Sequence, residues 1–231
     1  DVLAQDPGNT DALFASALIA GAKGADGRER ELLEQVIAGD PDNAAAHAAL
    51  GEIHLENKRY DKAEEAFSAG LKNDPDNFVA LVGLGNVKLR TEEPEAAESV
   101  LTRAIEVAPE YSFAYADRSR AMAMQYELTA AEEDLSTAIS LDESYPWHRY
   151  DRGLVRLEQQ DWTAALADFT AFIEAEPQVF LAYVHRARAH VGLGRRKAAI
   201  DDFERALELR PDYVPGYRPY GVLLFQEERY A

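Results

Sequence analysis

Ala44–Asn77 reads AAAHAALGEIHLENKRYDKAEEAFSAGLKNDPDN. Its apolar residues fall at helical spacing in two runs, Leu50–Ile53–Leu55 and Ala63–Ala66–Phe67–Leu71, parted by the polar Asn57–Lys58–Arg59. The second run closes on Asp74–Pro75, and a proline drives the residue before it out of helical geometry. The stretch is therefore a helix–turn–helix hairpin, and neither helix can bury its apolar face alone. Partners follow at a fixed interval. Pro7, Pro41, Pro75 and Pro109 stand 34 residues apart, Glu143 takes the next slot, and Pro177 and Pro211 resume the count. Ala63, Ala97, Ala131, Ala165 and Ala199 keep the same period, as do Phe67, Leu101, Leu135, Phe169 and Phe203 four places on.

These residues carry a family resemblance. The spacing Leu50–Gly51, Ala63, Phe67, Pro75, repeated as Leu84–Gly85, Ala97, Leu101, Ala104, Pro109, resembles the tetratricopeptide repeat. Six units in register cover nearly the whole chain. The resemblance implies an all-α, right-handed superhelical solenoid of tandem helix–turn–helix repeats. The expected units are 10–43 (divergent), 44–77, 78–111, 112–145, 146–179 and 180–213. Residues 1–9 read as the end of a preceding repeat and 214–231 as a truncated seventh, so the sequence reads as a piece of a longer protein. In the divergent unit the glycine-rich Gly21–Gly27 predicts a longer, more mobile loop, and Glu29 stands where later units place alanine. Near the C-terminus Pro215, Gly216 and Pro219 predict a delayed or kinked helix that begins near Arg218, with Val222–Phe225 left uncovered.

The 231 residues carry a formal charge of −18. That disfavours nucleic acid and anionic lipid, both of which require a basic face. No apolar run is long enough to span a bilayer. With no cysteine, disulfides, thiolate metal sites and cysteine nucleophiles are excluded. His47 and His54, seven apart, raise the idea of a metal pair, yet they and His190 hold places where the family packs aromatics, so a core or boundary role is expected. His148 and His185 are isolated. No catalytic motif, metal site or cofactor loop is found, and the chain does not read as an enzyme. Gly83–Gly85 and Gly192–Gly194 follow no strand, and the clusters Glu92–Glu95 and Glu132–Asp134 lack calcium-loop spacing.

Two charge series are informative. Arg118, Arg152 and Arg186 hold the seventh place of their repeats, and Asp134, Asp168 and Asp202 the twenty-third of the same repeats; earlier repeats have Ser16, Leu50, Leu84 and Leu32, Ala66, Val100 there. Charge arrives at both places together, which predicts an ion pair within each repeat. The resemblance further implies a concave groove lined by the second, fifth, ninth and twelfth places of each first helix. Those places carry +1 (Arg120, Arg188 and Arg218 against Asp11 and Glu52), far less acid than the whole chain. Their C-terminal half is aromatic and basic. The expected partner-binding residues are Phe113, Arg120, Trp147, Tyr150, Arg188 and Arg218, forming one patch for a peptide or helix of apolar, acidic character. The lysine–asparagine clamp of chaperone-tail adaptors is broken at Ala48–Glu52, Val82–Asn86 and Ala116–Arg120. The expected function is a protein-interaction scaffold. The alternatives are the recognition arm of a larger enzyme, or a module that self-associates through exposed repeat ends.

Overall fold

The structure, a computed structural model, describes residues 2–213, 221, 222 and 225. Among these residues it holds thirteen helices and no strand. They are α1 (Val2–Gln5), α2 (Thr10–Ala22), α3 (Asp26–Gly39), α4 (Ala44–Glu56), α5 (Tyr60–Asn73), α6 (Phe78–Arg90), α7 (Pro94–Val107), α8 (Ser112–Met124), α9 (Leu128–Leu141), α10 (Trp147–Glu158), α11 (Trp162–Ala175), α12 (Phe180–Gly192) and α13 (Arg196–Leu209). The fold is an all-α solenoid of helical repeats. The chain divides inside α8 into two compact units, 1–121 and 122–231. Places below are counted from the first residue of each 34-residue repeat.

Each repeat is built from two kinds of turn. Between repeats, an Asp–Pro or equivalent closes one helix and an asparagine caps the next. The Asn9, Asn43 and Asn77 side chains accept from Ala12, Ala46 and Ala80 N–H at 2.9, 2.9 and 3.0 Å, satisfying donors that a helix start leaves open. Later repeats lose that cap, and aromatic contacts stand at the junctions instead. The Tyr111 ring meets Phe78 at 4.8 Å and Tyr213 meets Phe180 at 4.9 Å. Within repeats, three residues join the helices, and the fifteenth place is left-handed each time: Gly24, Lys58, Glu92, Tyr126, Gln160 and Gly194, with φ between 57° and 69°. The following N–H closes back onto the helix end, as Ala25 to the Ala20 carbonyl at 3.0 Å and Arg59 to that of His54 at 2.8 Å.

The glycine-rich loop of the first repeat is thus no longer than the others. Its helices are separated by residues 23–25 alone, and Gly24 supplies the positive φ at no steric cost. Glu29 is accommodated by Gly21, since a Cβ there would lie 2.5 Å from the Glu29 carboxylate.

Packing follows small-against-large pairing. Ala63, Ala97, Ala131, Ala165 and Ala199 are fully buried, and Phe67, Leu101, Leu135, Phe169 and Phe203 are at most 1% exposed. Glycine at the eighth place makes room for them: a Cβ on Gly51 would sit 2.6 Å from the Phe67 ring and one on Gly153 2.9 Å from that of Phe169. In the second unit Tyr150, Phe169, Phe172, Tyr183 and Phe203 share one core.

Two of the expected ion pairs appear within their repeats. Arg152 donates from Nε and Nη2 to Asp168 at 3.0 and 2.7 Å, and Arg186 likewise to Asp202 at 2.9 and 2.6 Å. Both carboxylates are buried. Arg118 and Asp134 lie in different units, and that pair stands as an expectation. A further rule emerges at the eleventh place, whose cation reaches the twenty-first place of the preceding repeat. Lys88 Nζ meets Glu64 at 2.7 Å, and Arg156 Nε meets Glu132 at 2.8 Å. The expected C-terminal kink, with Pro215, Gly216, Arg218 and Pro219, lies outside the described residues. Val222 and Phe225 are exposed, at 51% and 60%.

Candidate partner-binding surface

Residues seven apart on a helix differ by about 20° in direction, and residues three apart by about 60°. The second and ninth places of a first helix therefore share one line, and the fifth and twelfth are turned away from it. The structure separates them accordingly. At the second place Val79, Phe113 and Trp147 are 42%, 37% and 37% exposed; at the ninth, Leu18, Glu52, Arg120 and Arg188 are exposed. At the fifth place Ala48, Ala116, Tyr150 and Val184 are buried, and at the twelfth so are Leu89 and Leu157. The four places grouped by sequence resolve into a more outward and a more inward pair, with Val191 at the twelfth place the exception at 46% exposed.

Tyr150 belongs to the inward pair. Its ring packs on Phe169, Phe172 and His185 at 5.7, 4.9 and 5.7 Å, and burial pushes its hydroxyl up to about 12. It braces Trp147, whose ring stands edge-on to Tyr150 at 5.3 Å and to Phe172 at 4.9 Å. Trp147 is thus a braced ring that remains 37% exposed.

The two exposed arginines already face carboxylates. Arg120 Nη1 lies 3.2 Å from Asp117, and Arg188 Nη2 lies 3.5 Å from Glu158. Asn86 Nδ2 donates to the other Asp117 oxygen at 2.8 Å. Burial raises the Asp117 carboxyl above its ordinary value, against the opposing pull of Arg120, Asn86 and Arg90. In the first two repeats the same face is acidic: Glu52 is raised by burial and by the nearby Glu56 and Glu29. The basic character expected from counting four places is therefore local. Asp117, Glu158, Glu29 and Glu56 lie at places outside the count. Arg218 lies outside the described residues.

The histidines are structural. His47 and His54 are about 10 Å apart along α4, too far to chelate one ion, and His47 Nε2 lies 2.9 Å from the Pro41 carbonyl. His185 stacks on Phe169 at 5.7 Å, and burial lowers its pKa to about 4. His148 is 1% exposed, with its pKa lowered by burial. Among the described residues no group of three His, Cys, Asp or Glu is placed to hold a metal, and no helix is long and apolar enough to cross a membrane.

This architecture defines a helical-repeat protein whose first helices leave side chains outward. Family models described as tetratricopeptide repeat match residues 30–78, 58–121 and 150–231, more than half of the chain, which belongs to the tetratricopeptide repeat family. Among curated proteins, the tetratricopeptide repeat and J domain-containing co-chaperone DNJ1 of Cryptococcus neoformans var. grubii is 36% identical over 59 residues, 26% of this chain and 11% of its own length. DnaJ homolog subfamily C member 3 of Rattus norvegicus is 33% identical over 61 residues, 26% of this chain and 12% of its own. The chain thus spans about a tenth of the length of these relatives. Among solved structures, Pseudomonas aeruginosa pilF superposes with a TM-score of 0.79 at 19% identity, over 92% of this chain and 96% of its own. YrrB, described as a TPR protein with an unusual peptide-binding site, gives 0.69 at 18%, over 81% and 96%. MamA gives 0.67 at 26%, over 74% and 93%.

Proposed function

We propose that the chain is a protein-interaction scaffold that holds a peptide or helix of a partner against the outward line of its first helices. Membership of the tetratricopeptide repeat family supports the scaffold role, and the peptide-binding description of YrrB supports the class of ligand. The observation that carries the reading is a large apolar residue left out of the core at the second place of three successive repeats: Val79 and Phe113 in the first unit, Trp147 in the second. Every one of them stands on a first helix. A side chain that could be buried by a one-place shift, yet recurs outside at a fixed period, is suited to covering by a partner. Phe113 and Arg120 are the contacts assigned on the first unit, Trp147 and Arg188 those on the second. Tyr150 supports Trp147 from beneath, and Arg218 remains an assignment from sequence. The partner has apolar side chains for the ring faces and carboxylates that compete with Asp117 and Glu158 for the arginines.

A peptide selected by display against the whole chain supplies the ligand for the test. Trp147→Ala and Arg188→Glu should each weaken its affinity about tenfold or more, because anchoring aromatics and arginines dominate such interfaces. Raised salt should weaken it as well. Unchanged affinity in both variants moves the site off this surface.

A further inference from the structure

The second unit fills a seam between successive second helices with its own arginines. Arg152, at the seventh place, spans to Asp168 at the twenty-third and donates from Nη1 to Ser136, at the twenty-fifth place of the preceding repeat, at 3.1 Å. Arg156 at the eleventh place completes the cluster, giving Asp168 at 2.7 Å. In the first unit the corresponding places of the second repeat hold Leu50, Ala66 and His54, and the preceding twenty-fifth place holds Glu34. The side chains that fill the seam are gone. What remains is a pocket of about 380 Å³ between α3, α4 and α5.

Its chemistry differs from an unfilled gap. Ile37, Leu50, Ala66 and Ala69 make an apolar floor, and Glu34 and Glu65 stand on its walls. Glu34 sits 3.6 Å from Arg30, a long contact between exposed groups, and Glu65 makes no ion pair among the described residues. Lys62 is the cation among the lining residues, and Arg30 stands outside the lining beside Glu34. Burial, with the nearby Lys62, Arg59 and Arg30, lowers the His54 pKa against the opposing pull of Glu34. One repeat further on, the same seam forms a pocket of about 280 Å³ lined by Leu71, Val100 and Arg103, with no carboxylate in its wall. That pocket offers a cation the Ser99 hydroxyl but no carboxylate. The first one has two carboxylates.

We propose that the pocket between α3, α4 and α5 receives an arginine side chain from a partner polypeptide, whose guanidinium takes the place that Arg152 fills from within the chain in the fifth repeat. The methylene stem covers Leu50 and Ala66, and the planar fork meets Glu34 and Glu65. This site faces away from the first-helix line and stands independently of the groove reading.

Titration of the isotope-labelled whole chain with acetyl-Ala-Arg-Ala-amide, followed by NMR, tests the site. Saturable shifts should concentrate on His47, Leu50, His54, Ala66 and Ala69. The citrulline analogue, equal in shape but neutral, should bind about tenfold more weakly or worse. Leu50→Arg with Ala66→Asp rebuilds the internal pair of the fifth repeat and should abolish binding in a chain that still melts cooperatively. Glu34→Gln with Glu65→Gln, changes on the surface that leave packing intact, should also weaken it about tenfold. The proposal is overturned by shifts scattered over the acidic surface, by equal binding of the citrulline peptide, by unchanged binding in the glutamine variant, or by a folded Leu50→Arg/Ala66→Asp chain that binds as well as the parent. Absence of any saturable shift overturns it too.

Discussion

Asp168→Ala should be among the most damaging single changes in the second unit. The carboxylate is 4% exposed and accepts three hydrogen bonds, two from Arg152 and one from Arg156. Its removal leaves Arg152, with a side chain 18% exposed, without its carboxylate, and Arg156, 17% exposed, with Glu132 alone. Breaking one side of a buried pair costs about 3–5 kcal/mol. For a chain of this size each kcal/mol lowers the melting temperature by about 2–4 °C, so a fall of roughly 6–20 °C is expected. Most of that loss is the unpaired charge rather than the absent bond. Arg152→Leu together with Asp168→Ala reproduces the Leu50 and Ala66 of the second repeat and should recover part of the single-mutant loss, with Arg156 still held by Glu132. Urea denaturation of the parent, the single and the double variant measures this directly. A single-mutant cost below about 1 kcal/mol, the value of an exposed pair, would refute the reasoning.

Other expectations follow from the same packing. Phe169→Ala empties a fully buried site and should cost about 3–5 kcal/mol by urea denaturation. Gly83→Ala drives a Cβ to 2.2 Å from the Phe67 ring and should cost about 1–3 kcal/mol in the same assay. Lys58→Gly and Gln160→Gly relieve left-handed residues at φ 57° and 62° and should each stabilise by up to about 1 kcal/mol, a gain reduced by the entropy of glycine in the unfolded chain. His185 has a folded pKa depressed to about 4 against an ordinary 6.5, so the unfolded chain binds the extra proton. Its contribution is present above pH 6.5 and lost as pH falls toward 4, up to about 3 kcal/mol at about 1.4 kcal/mol per pKa unit. A His185→Phe chain should show a shallower acid slope, measured by urea midpoints across that range.

The repeat was legible because a 34-residue period at proline, alanine and phenylalanine leaves little freedom: one hairpin read correctly sets the next. The two Arg–Asp pairs of the second unit were legible for the same reason, since charge at the seventh and twenty-third places comes and goes together. Contacts that vary from repeat to repeat were harder to see. Arg156 and Lys88 answer Glu132 and Glu64 at a separation of 24 residues, a signal present in the sequence but carried by two repeats alone. Counting charge on four groove places missed Asp117 and Glu158, which stand at other places and turn onto the arginines. The glycines of the first loop break helices by propensity, yet Gly24 serves a turn that every repeat makes, so the loop is no longer than the others. Spacing alone groups Tyr150 with Trp147, but a difference of three residues carries it about 60° around the helix and into the core.

The interaction scaffold itself is tested most directly by mapping where a selected peptide lands. Amide shifts of the whole chain on peptide addition should fall on the first helices, at Val79 and Phe113 of α6 and α8 and at Trp147 and Arg188 of α10 and α12. Shifts confined to the second helices α5, α7, α9, α11 and α13, with Trp147 unmoved, would contradict the account.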